Sequence, residues 1–295
     1  MERFLAVKKA SILGIIGNIF LLIIKTIVAF LTNSQAMMSD ALNSTGDIIS
    51  SFMTYVGNKI ASKGPDEDHN LGHGKAEYIF SMLISLTMIV LSIKMIYSSI
   101  KSLFVSYSYH FSAYLIIVCV VTIIIKVLLF CYTNSLAKKY DNLLIKANSY
   151  DHRNDCILTS LNLIAAIIGQ FGITYIDGVV GLILSLWITI TGVRIFKESY
   201  DVLMDKGLDE ETKKQIDEII KKYPEITKTN HFNSTPIGYQ YQISLTIFVD
   251  GNLSTFESHE IANALEKEIT KLDEVYLAVI HVNPIQIKKK KRKRK

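Results

Sequence analysis

The chain has 295 residues, of which 49% are hydrophobic and 20% charged, and its mean hydropathy is +0.29. A chain this apolar does not fit an ordinary soluble domain and indicates a membrane protein with a polar appendage. The formal net charge of +5 comes from the basic residues 288–295, without which the chain is net acidic. The charge therefore gives no indication of a nucleic-acid-binding surface.

Six apolar stretches are each long enough, at roughly 20 residues, to cross a bilayer as a helix. They are predicted at residues 11–31, 36–60, 78–100, 111–135, 147–171 and 176–196. Lysine and arginine concentrate in the leader and in the loops after the second and fourth stretches, whereas the alternate loops carry almost none. Both termini are therefore predicted to be cytoplasmic, in a multi-pass protein of the cell (plasma or inner) membrane.

Three lysines, Lys25, Lys94 and Lys126, lie within these stretches. A lysine near the end of a membrane helix usually extends its ammonium to the headgroups, and we expect that behaviour here. No small-residue cleavage site follows the first stretch, which favours a first membrane helix over a removable signal peptide.

A soluble domain is predicted after residue 206. Its first helix, at residues 208–223, has Asp209 as the N-cap, and a capping box of Ser254 and Glu257 opens a second helix that ends near residue 272. Three strands are predicted from alternating polarity, at residues 226–232, 239–249 and 275–282, the last ended by Pro284. The resulting order, αββαβ, predicts a small α+β domain of the ferredoxin-like type.

The predicted fold class is thus an all-α membrane bundle of six helices with a C-terminal cytoplasmic α+β domain. The predicted divisions are residues 1–206 for the membrane domain, 207–287 for the cytoplasmic domain and 288–295 for a basic disordered tail. Beside a membrane, a tail of this charge would be drawn to anionic lipid headgroups.

Two of the six stretches carry acidic or amide residues four positions apart. Asn43 and Asp47 lie in the second stretch, and Asp151 and Asp155 lie in the fifth, so each pair occupies one helix face. Polar residues inside a membrane span are costly and usually functional. If the two helices pack together, four oxygen-bearing side chains converge into a cation site. The alternative for any one of them is a solvated helix cap.

These residues resemble those of the cation diffusion facilitators, a family of divalent-metal/proton antiporters. The resemblance covers nearly the whole chain and includes the six spans and the C-terminal α+β domain. Its three motifs are Asp40-x-x-Asn43-x-x-x-Asp47, Asp66-x-x-His69-x-x-x-His73-Gly-Lys-Ala-Glu77 and Asp151-x-x-x-Asp155. The resemblance implies that Asn43, Asp47, Asp151 and Asp155 are the ligands of the intramembrane transport site.

A second metal site is implied in the loop after the second span, with Asp66, His69 and His73 as ligands. Histidine is a common metal ligand, although the same loop could be structural, with its imidazoles hydrogen-bonded or solvated. The resemblance also implies a homodimer, in which Lys75 and Asp205 match a charge pair that joins the protomers near the membrane surface. As lone residues, these two could equally be ordinary surface charges.

The cytoplasmic domain of zinc-transporting members carries further metal ligands, and here that pattern is incomplete. His259 and His281 match, while other ligand positions hold the replacements Asn230, Ser244 and Asn283. This argues against a two-metal zinc site. Two interpretations stay open, a weak or mononuclear site at His231, His259 and His281, or a dimerisation domain without metal.

The ligand types bear on which metal is carried. The transport-site residues offer only oxygen ligands. Zinc-transporting members of the family resemble one another in having an imidazole at these positions, and this chain has none there. All-oxygen sites suit harder cations such as Mn²⁺ and disfavour Zn²⁺ relative to an imidazole site. The combination of Asn-Asp with Asp-Asp also resembles the manganese branch of the family. We predict Mn²⁺ as the cargo, with Zn²⁺, Fe²⁺ and Co²⁺ as secondary candidates and no prosthetic group.

The predicted mechanism is export by alternating access in exchange for protons, because metal binding must displace protons from the acids. The chain has no Gly-x-x-x-x-Gly-Lys nucleotide loop, which agrees with transport that needs no ATP. A metal-gated channel or sensor is the alternative class and would show flux that does not saturate. An intramembrane metalloenzyme is a third class, disfavoured because the sequence has no His-Glu-x-x-His motif and no nucleophile signature.

Overall fold

The computed structural model describes residues 2–32, 35–104, 113–169 and 175–285. The predicted tail at residues 288–295 lies outside these ranges. The chain divides into two compact units, Met1–Tyr200 and Asp201–Lys295, and the predicted boundary at residue 206 falls a few residues after this division.

Within the described residues, the first unit consists of six long helices. They are α1 (Glu2–Thr32), α2 (Gln35–Ala61), α3 (Ala76–Phe104), α4 (Ala113–Tyr140), α5 (Leu143–Gly169) and α6 (Tyr175–Leu203). The six helices confirm the predicted membrane bundle. Their ends extend beyond the predicted spans where polar residues continue the helix, as in the basic leader of α1 and the last turn of α4, which carries Lys138 and Lys139.

Three of the described helices are long and apolar enough to cross a membrane on length and composition alone. They are Glu2–Leu31, Ala76–Lys101 and Ile116–Tyr140. The helices α2 and α5 are less apolar, because each carries charged side chains away from its ends, among them Asp47 on α2 and Asp155 on α5. Such residues are expected to face the interior of the bundle or a polar cavity.

The helices are assembled around a polar interior. The helix α1 packs chiefly on α2, α4 packs on α5, and α2 also meets α5. Between α3 and α6, Thr189 donates a hydrogen bond to Ser92 at 2.8 Å. Large apolar side chains such as Phe20 and Leu128 point outward, while Asn18 and Ser51 are fully buried. This inside-out distribution is typical of helices that face lipid, where backbone groups are satisfied within each helix.

The second unit confirms the predicted order αββαβ. It contains α7 (Glu210–Ile220), β1 (Lys228–Ile237), β2 (Gln240–Asp250), α8 (Thr255–Ile269) and β3 (Val275–Ile285). The strands form a sheet in the order β1-β2-β3, with β2 antiparallel to β1 and parallel to β3. Buried side chains from both helices and the sheet, including Ile216, Leu245 and Leu265, form one core.

Both predicted helix caps in this unit are confirmed, although α7 is shorter than the predicted range 208–223. The Asp209 carboxylate accepts hydrogen bonds from the backbone N–H groups of Glu211 and Thr212, each at 2.9 Å. Ser254 and Glu257 form the full capping box at the start of α8. These caps satisfy N–H groups that have no partner within their own helix.

The predicted end of the last strand is wrong. The strand β3 continues through Pro284, which aligns with Val249 of β2, and ends at Ile285. A proline is tolerated there because β3 is the edge strand of the described sheet, where one side of the backbone needs no partner. The strand β1 also begins and ends later than predicted and contains a bulge between Asn230 and Asn233.

Candidate metal site

Two acidic side chains from different helices bind the same ammonium group. Lys126 on α4 extends its Nζ atom to 2.7 Å from Asp47 Oδ2 and to 2.6 Å from Asp155 Oδ2. Lys126 is fully buried, and these distances are those of charge-assisted hydrogen bonds. A carboxylate of α2 and a carboxylate of α5 are therefore bridged by one cation.

The third acid belongs to the same electrostatic cluster. Asp151 lies one helical turn before Asp155 on α5, is buried, and interacts electrostatically with Asp47 and Lys126. Asp155 in turn interacts with Asp47 and Asp151. Asp47 and Asp155 thus bind one ammonium inside the membrane unit, and Asp151 is a third acid of the same cluster. An arrangement with more acids than fixed positive charges is suited to hold a further cation or protons.

The fourth predicted ligand, Asn43, belongs to α2 one turn before Asp47, and its side chain lies outside the described part of the structure. The convergence of the amide with the acids therefore stays a prediction. Among the described residues, Asp47, Asp151 and Asp155 do not bring three ligand oxygens within 4.8 Å of one another. Lys126 stands between two of them.

Lys126 is the residue that sequence reasoning missed. The expectation that Lys25 and Lys126 extend to the headgroups is wrong, because both are buried and Lys25 donates to Ser44 Oγ at 3.1 Å. Of these three lysines, only Lys94 is exposed. The signal was present in the sequence, since Lys126 lies near the middle of α4, too far from either end to reach the headgroups. A charge at that depth needs an acidic partner in the bundle.

A row of buried neutral side chains adjoins the acids. Asn18 Nδ2 donates to the backbone oxygen of Asp47 at 3.1 Å and to Ser51 Oγ at 3.2 Å, and Asn148 Nδ2 donates to the same hydroxyl at 3.4 Å. The close approach of α1 depends on Gly14, where a Cβ would lie 2.9 Å from Ser51 Oγ. These hydrogen bonds join α1 and α5 to α2 at Ser51, one helical turn after Asp47.

His152 was also missed by the sequence reasoning. It lies on α5 beside this row, is fully buried, and neither ring nitrogen has a hydrogen-bond partner among the described residues. No spacing rule pointed to it, because its neighbours Asp151 and Asp155 carried the motif. A buried imidazole without a partner is uncommon and leaves two polar atoms free for hydrogen bonding.

A buried ion pair joins the first turns of three helices. The Arg3 guanidinium on α1 binds Glu77 on α3 through Nη2 at 2.9 Å from Oε1 and 2.8 Å from Oε2. Glu77 Oε1 also accepts the backbone N–H of Leu143, the first residue of α5, at 3.0 Å. Glu77, the last residue of the loop motif, therefore has a structural role in joining α1, α3 and α5.

The loop between α2 and α3 brings Asp66, His69 and His73 together. Their three ligand atoms lie within 4.8 Å of one another, and this is the one such group among the described residues. Asp66 Oδ1 is 3.3 Å from His69 Nδ1, and Asp66 Oδ2 is 3.4 Å from His73 Nε2. Two imidazoles and a carboxylate in this arrangement offer the ligand set of a borderline metal ion.

Backbone geometry holds this cluster in place. The backbone N–H of His69 donates to Asp66 Oδ1 at 2.7 Å, and this bond is the main reason that the pKa of Asp66 is lowered from its usual value. The Coulombic interaction with His73 lowers the pKa of Asp66 further. Gly72 has φ of +78° and closes the turn, and a Cβ there would also crowd the backbone of Lys63 and Gly64.

The three histidines predicted as metal ligands in the second unit do not form a cluster like that of Asp66, His69 and His73. His231 occupies the bulge of β1 with φ of +50°, and His281 on β3 aligns with Thr246 of β2. Nε2 of His259 on α8 lies 3.3 Å from Nδ2 of Asn263. Among the described residues they form no cluster that meets the 4.8 Å distance of the loop group. Metal binding by these histidines stays a prediction.

The predicted charge pair is divided between the two units. Lys75 lies just before α3 in the first unit, and Asp205, with φ of +55°, follows α6 in the second. The role of the two residues between protomers stays a prediction.

The sequence matches two family models along almost its whole length. The first, described as the cation efflux transmembrane domain, matches residues 11–204. The second, described as the cytoplasmic domain of cation efflux proteins, matches residues 208–285.

Three full-length relatives are similar to the chain. An uncharacterised transporter of Methanocaldococcus jannaschii is 28% identical over 277 residues, which cover 94% of this chain and 98% of the relative. The manganese efflux system protein MneS of Bacillus subtilis (strain 168) is 28% identical over 291 residues, covering 98% of this chain and 100% of the relative. The manganese efflux system protein MneP of the same strain is 25% identical over 292 residues, covering 96% and 98%.

Proposed function

Because the chain belongs to the cation efflux family, whose members move divalent metal cations across membranes, we propose that it exports Mn²⁺ from the cytoplasm in exchange for protons. It is a membrane protein with a cytoplasmic domain of that family. The proposal concerns the cargo, the driving force and the residues that bind the metal.

The observation that carries the proposal is the bridge from Asp47 to Asp155 through one buried cation. Two carboxylates, one from α2 and one from α5, already bind one buried cation between them. Asp151 adds a third negative charge to the same cluster. In this proposal, Asp47, Asp151 and Asp155 bind the metal together with Asn43.

The choice of manganese rests on ligand chemistry and on two relatives. The three described acids supply only hard oxygen ligands, which suit Mn²⁺ better than a site containing imidazole or thiolate would. The relatives MneS and MneP carry manganese efflux in their names, and each is aligned over nearly its full length. Fe²⁺, Co²⁺ and Zn²⁺ are secondary cargoes in the same proposal.

Exchange for protons follows from the charge of the site. Three acids left empty inside a membrane repel one another, so the departing metal is replaced by protons. Metal and protons thus occupy the same carboxylates in turn, and a proton gradient drives the metal outward. The proposal includes no enzymatic step.

We place the protein in the cell membrane as a homodimer with both termini in the cytoplasm. The concentration of lysine and arginine in alternate loops supports this orientation. Lys75 and Asp205 join the two protomers in this proposal. The Asp66, His69 and His73 cluster is a second metal site, and its geometry supports that role.

The function is tested by metal flux into proteoliposomes that contain the purified protein. Mn²⁺, Zn²⁺, Fe²⁺ and Co²⁺ are supplied separately, with and without a pH gradient across the membrane. We expect saturable flux that is fastest for Mn²⁺ and is accompanied by proton movement in the opposite direction. Flux that does not saturate and ignores the pH gradient would indicate a channel and overturn the proposal.

A further inference from the structure

Lys126 has no place in a simple exchange of metal for protons, yet it lies at the centre of the site. Its ammonium donates at 2.7 Å to Asp47 and at 2.6 Å to Asp155, and its side chain is fully buried. A buried lysine could instead pair with one acid to the side of the site. Here it bridges the two acids that come from different helices.

The ammonium and a metal ion compete for the same oxygens. A divalent ion bound by carboxylates lies about 2.0 to 2.6 Å from each oxygen, no farther than Lys126 Nζ now lies from the same acids. An ion on Asp47 and Asp155 would therefore overlap the ammonium or lie beside it. Two positive centres at such a distance, in a medium of low dielectric constant, repel strongly. The metal and the ammonium must occupy the position alternately.

We propose that Lys126 is a tethered internal cation, which fills the metal position of the empty transporter and is displaced each time a metal ion binds. The proposal rests on the proposed function and deepens it. Binding of the metal removes the ammonium from Asp47 and Asp155, and release of the metal lets it return. No change in the protonation of Lys126 is needed for this cycle.

The structure contains an acceptor for the displaced group. Thr122 lies one turn before Lys126 on α4, is fully buried, and its Oγ1 atom has no hydrogen-bond partner among the described residues. Side chains on a helix lean toward its N-terminus, so the lysine stem already extends over that turn. Rotation of the stem would move the ammonium from the acids to this hydroxyl.

The tethered cation has a function in the return step. After metal release, the three acids of the site need positive charges to compensate them inside the membrane, and without Lys126 protons alone would have to supply these charges. The ammonium supplies one of these charges and keeps α2 and α5 joined through Asp47 and Asp155. It therefore speeds the return of the empty transporter, at the cost of weaker metal binding.

The substitution Lys126→Met tests this, because methionine keeps an unbranched side chain and removes the charge. We expect Mn²⁺ to bind at least several-fold more tightly, because it no longer competes with the ammonium for Asp47 and Asp155. Net Mn²⁺ flux should fall, while exchange of labelled Mn²⁺ against unlabelled Mn²⁺ across the membrane should persist. Only net flux requires the transporter to return empty.

Two variants serve as controls. Lys126→Arg keeps a positive charge and should retain both net flux and exchange more fully than Lys126→Met. Lys94→Met makes the same replacement at an exposed membrane lysine on α3 and should leave Mn²⁺ affinity unchanged. Equal loss of net flux and exchange in folded Lys126→Met, or unchanged or weaker Mn²⁺ binding, would overturn the proposal.

The outcomes separate this proposal from the proposed function. If the wild-type protein moves none of the four metals, the proposed function fails, and Mn²⁺ affinity of the purified protein still decides the role of Lys126. If Lys126→Met does not fold, a structure of the wild type with bound Mn²⁺ decides instead. Lys126 Nζ should then lie away from both acids, and an ammonium still bonded to Asp47 and Asp155 would refute the displacement.

Discussion

The carboxylates of Asp47 and Asp155 lie on two different helices, and both accept a hydrogen bond from the same buried ammonium. The pair fixes the geometry between α2 and α5 at the candidate metal site.

Loss of either acid should abolish metal export. In Asp47→Asn or Asp155→Asn, the side-chain size is kept but one charge is removed from the cluster. Loss of a residue that only supports a metal ligand lowers metal affinity by about 10- to 100-fold. Because Asp47 and Asp155 are proposed as ligands themselves, we expect Mn²⁺ affinity to fall by more. Mn²⁺ flux into proteoliposomes measures the effect.

The matched control for these variants is Glu198→Gln on α6. Glu198 is also a carboxylate paired with a lysine, Lys146 at 2.7 Å, but it lies outside the cluster. Its replacement should leave Mn²⁺ flux close to that of the wild type. Full activity in both aspartate variants would refute the site.

An imidazole at position 43 should shift the choice of metal. In Asn43→His, an oxygen ligand is replaced by nitrogen, which favours Zn²⁺ over Mn²⁺. We expect the ratio of Zn²⁺ flux to Mn²⁺ flux to rise, measured in parallel vesicle preparations. Asn43→Asp, which keeps an oxygen ligand, should not raise it, and an equal rise in both variants would show that ligand type does not decide selectivity.

Breaking the buried ion pair of Arg3 and Glu77 should destabilise the membrane unit. In Glu77→Gln, the guanidinium of Arg3 stays buried without its counter-charge, which costs about 3–5 kcal/mol of unfolding free energy. Thermal unfolding in detergent measures the loss. The half-exposed pair of Lys146 and Glu198 is the comparison, since Lys146→Met should cost at most about 1 kcal/mol.

The loop cluster should select metals differently from the membrane site. Two imidazoles and one carboxylate favour Zn²⁺ over Mn²⁺ by ligand type and by the general affinity order of divalent ions. We expect His73→Ala to remove one equivalent of bound Zn²⁺ from the purified protein while Mn²⁺ flux persists. Elemental analysis after dialysis counts the metal. Asp68→Ala, at an exposed carboxylate of the same loop that lies outside the ligand group, should lose none, and an unchanged zinc content in His73→Ala would leave the loop without a metal role.

The N-cap of α7 should contribute stability that depends on pH. The pKa of Asp209 is lowered from its usual value, mainly because the backbone N–H of Thr212 donates to its carboxylate. A carboxyl with a lowered pKa in the folded state stabilises that state above its ordinary pKa. This contribution is lost as the pH falls through the lowered value.

Asp209→Ala should therefore destabilise α7 by about 1 kcal/mol at neutral pH and by progressively less in acid. Hydrogen exchange of the α7 amides measures the difference between the variant and the wild type. Asp209→Asn retains a cap acceptor and should lose less. A deficit in Asp209→Ala that does not shrink as the pH falls would contradict the assignment.

Features set by neighbouring residues were predictable from the sequence. The order of the six membrane helices, the cap at Asp209 and the capping box of Ser254 and Glu257 depend on residues within a turn or two of one another. The spacing of Asp151 and Asp155 likewise placed them on one face of α5. Pro284 was the exception, because its tolerance depends on β3 being an edge strand, and strand order is not a local property.

The sequence by itself determined which helices exist and which faces of α2 and α5 carry the acids, since helix periodicity and apolar length act within each segment. Only the tertiary structure decided what those acids meet. Lys126 is distant in sequence from Asp47, and Arg3 from Glu77, and each charge is buried only because the helices that carry it pack together. A buried charge takes its partner from whichever helix is adjacent, and that adjacency is a property of the assembled bundle.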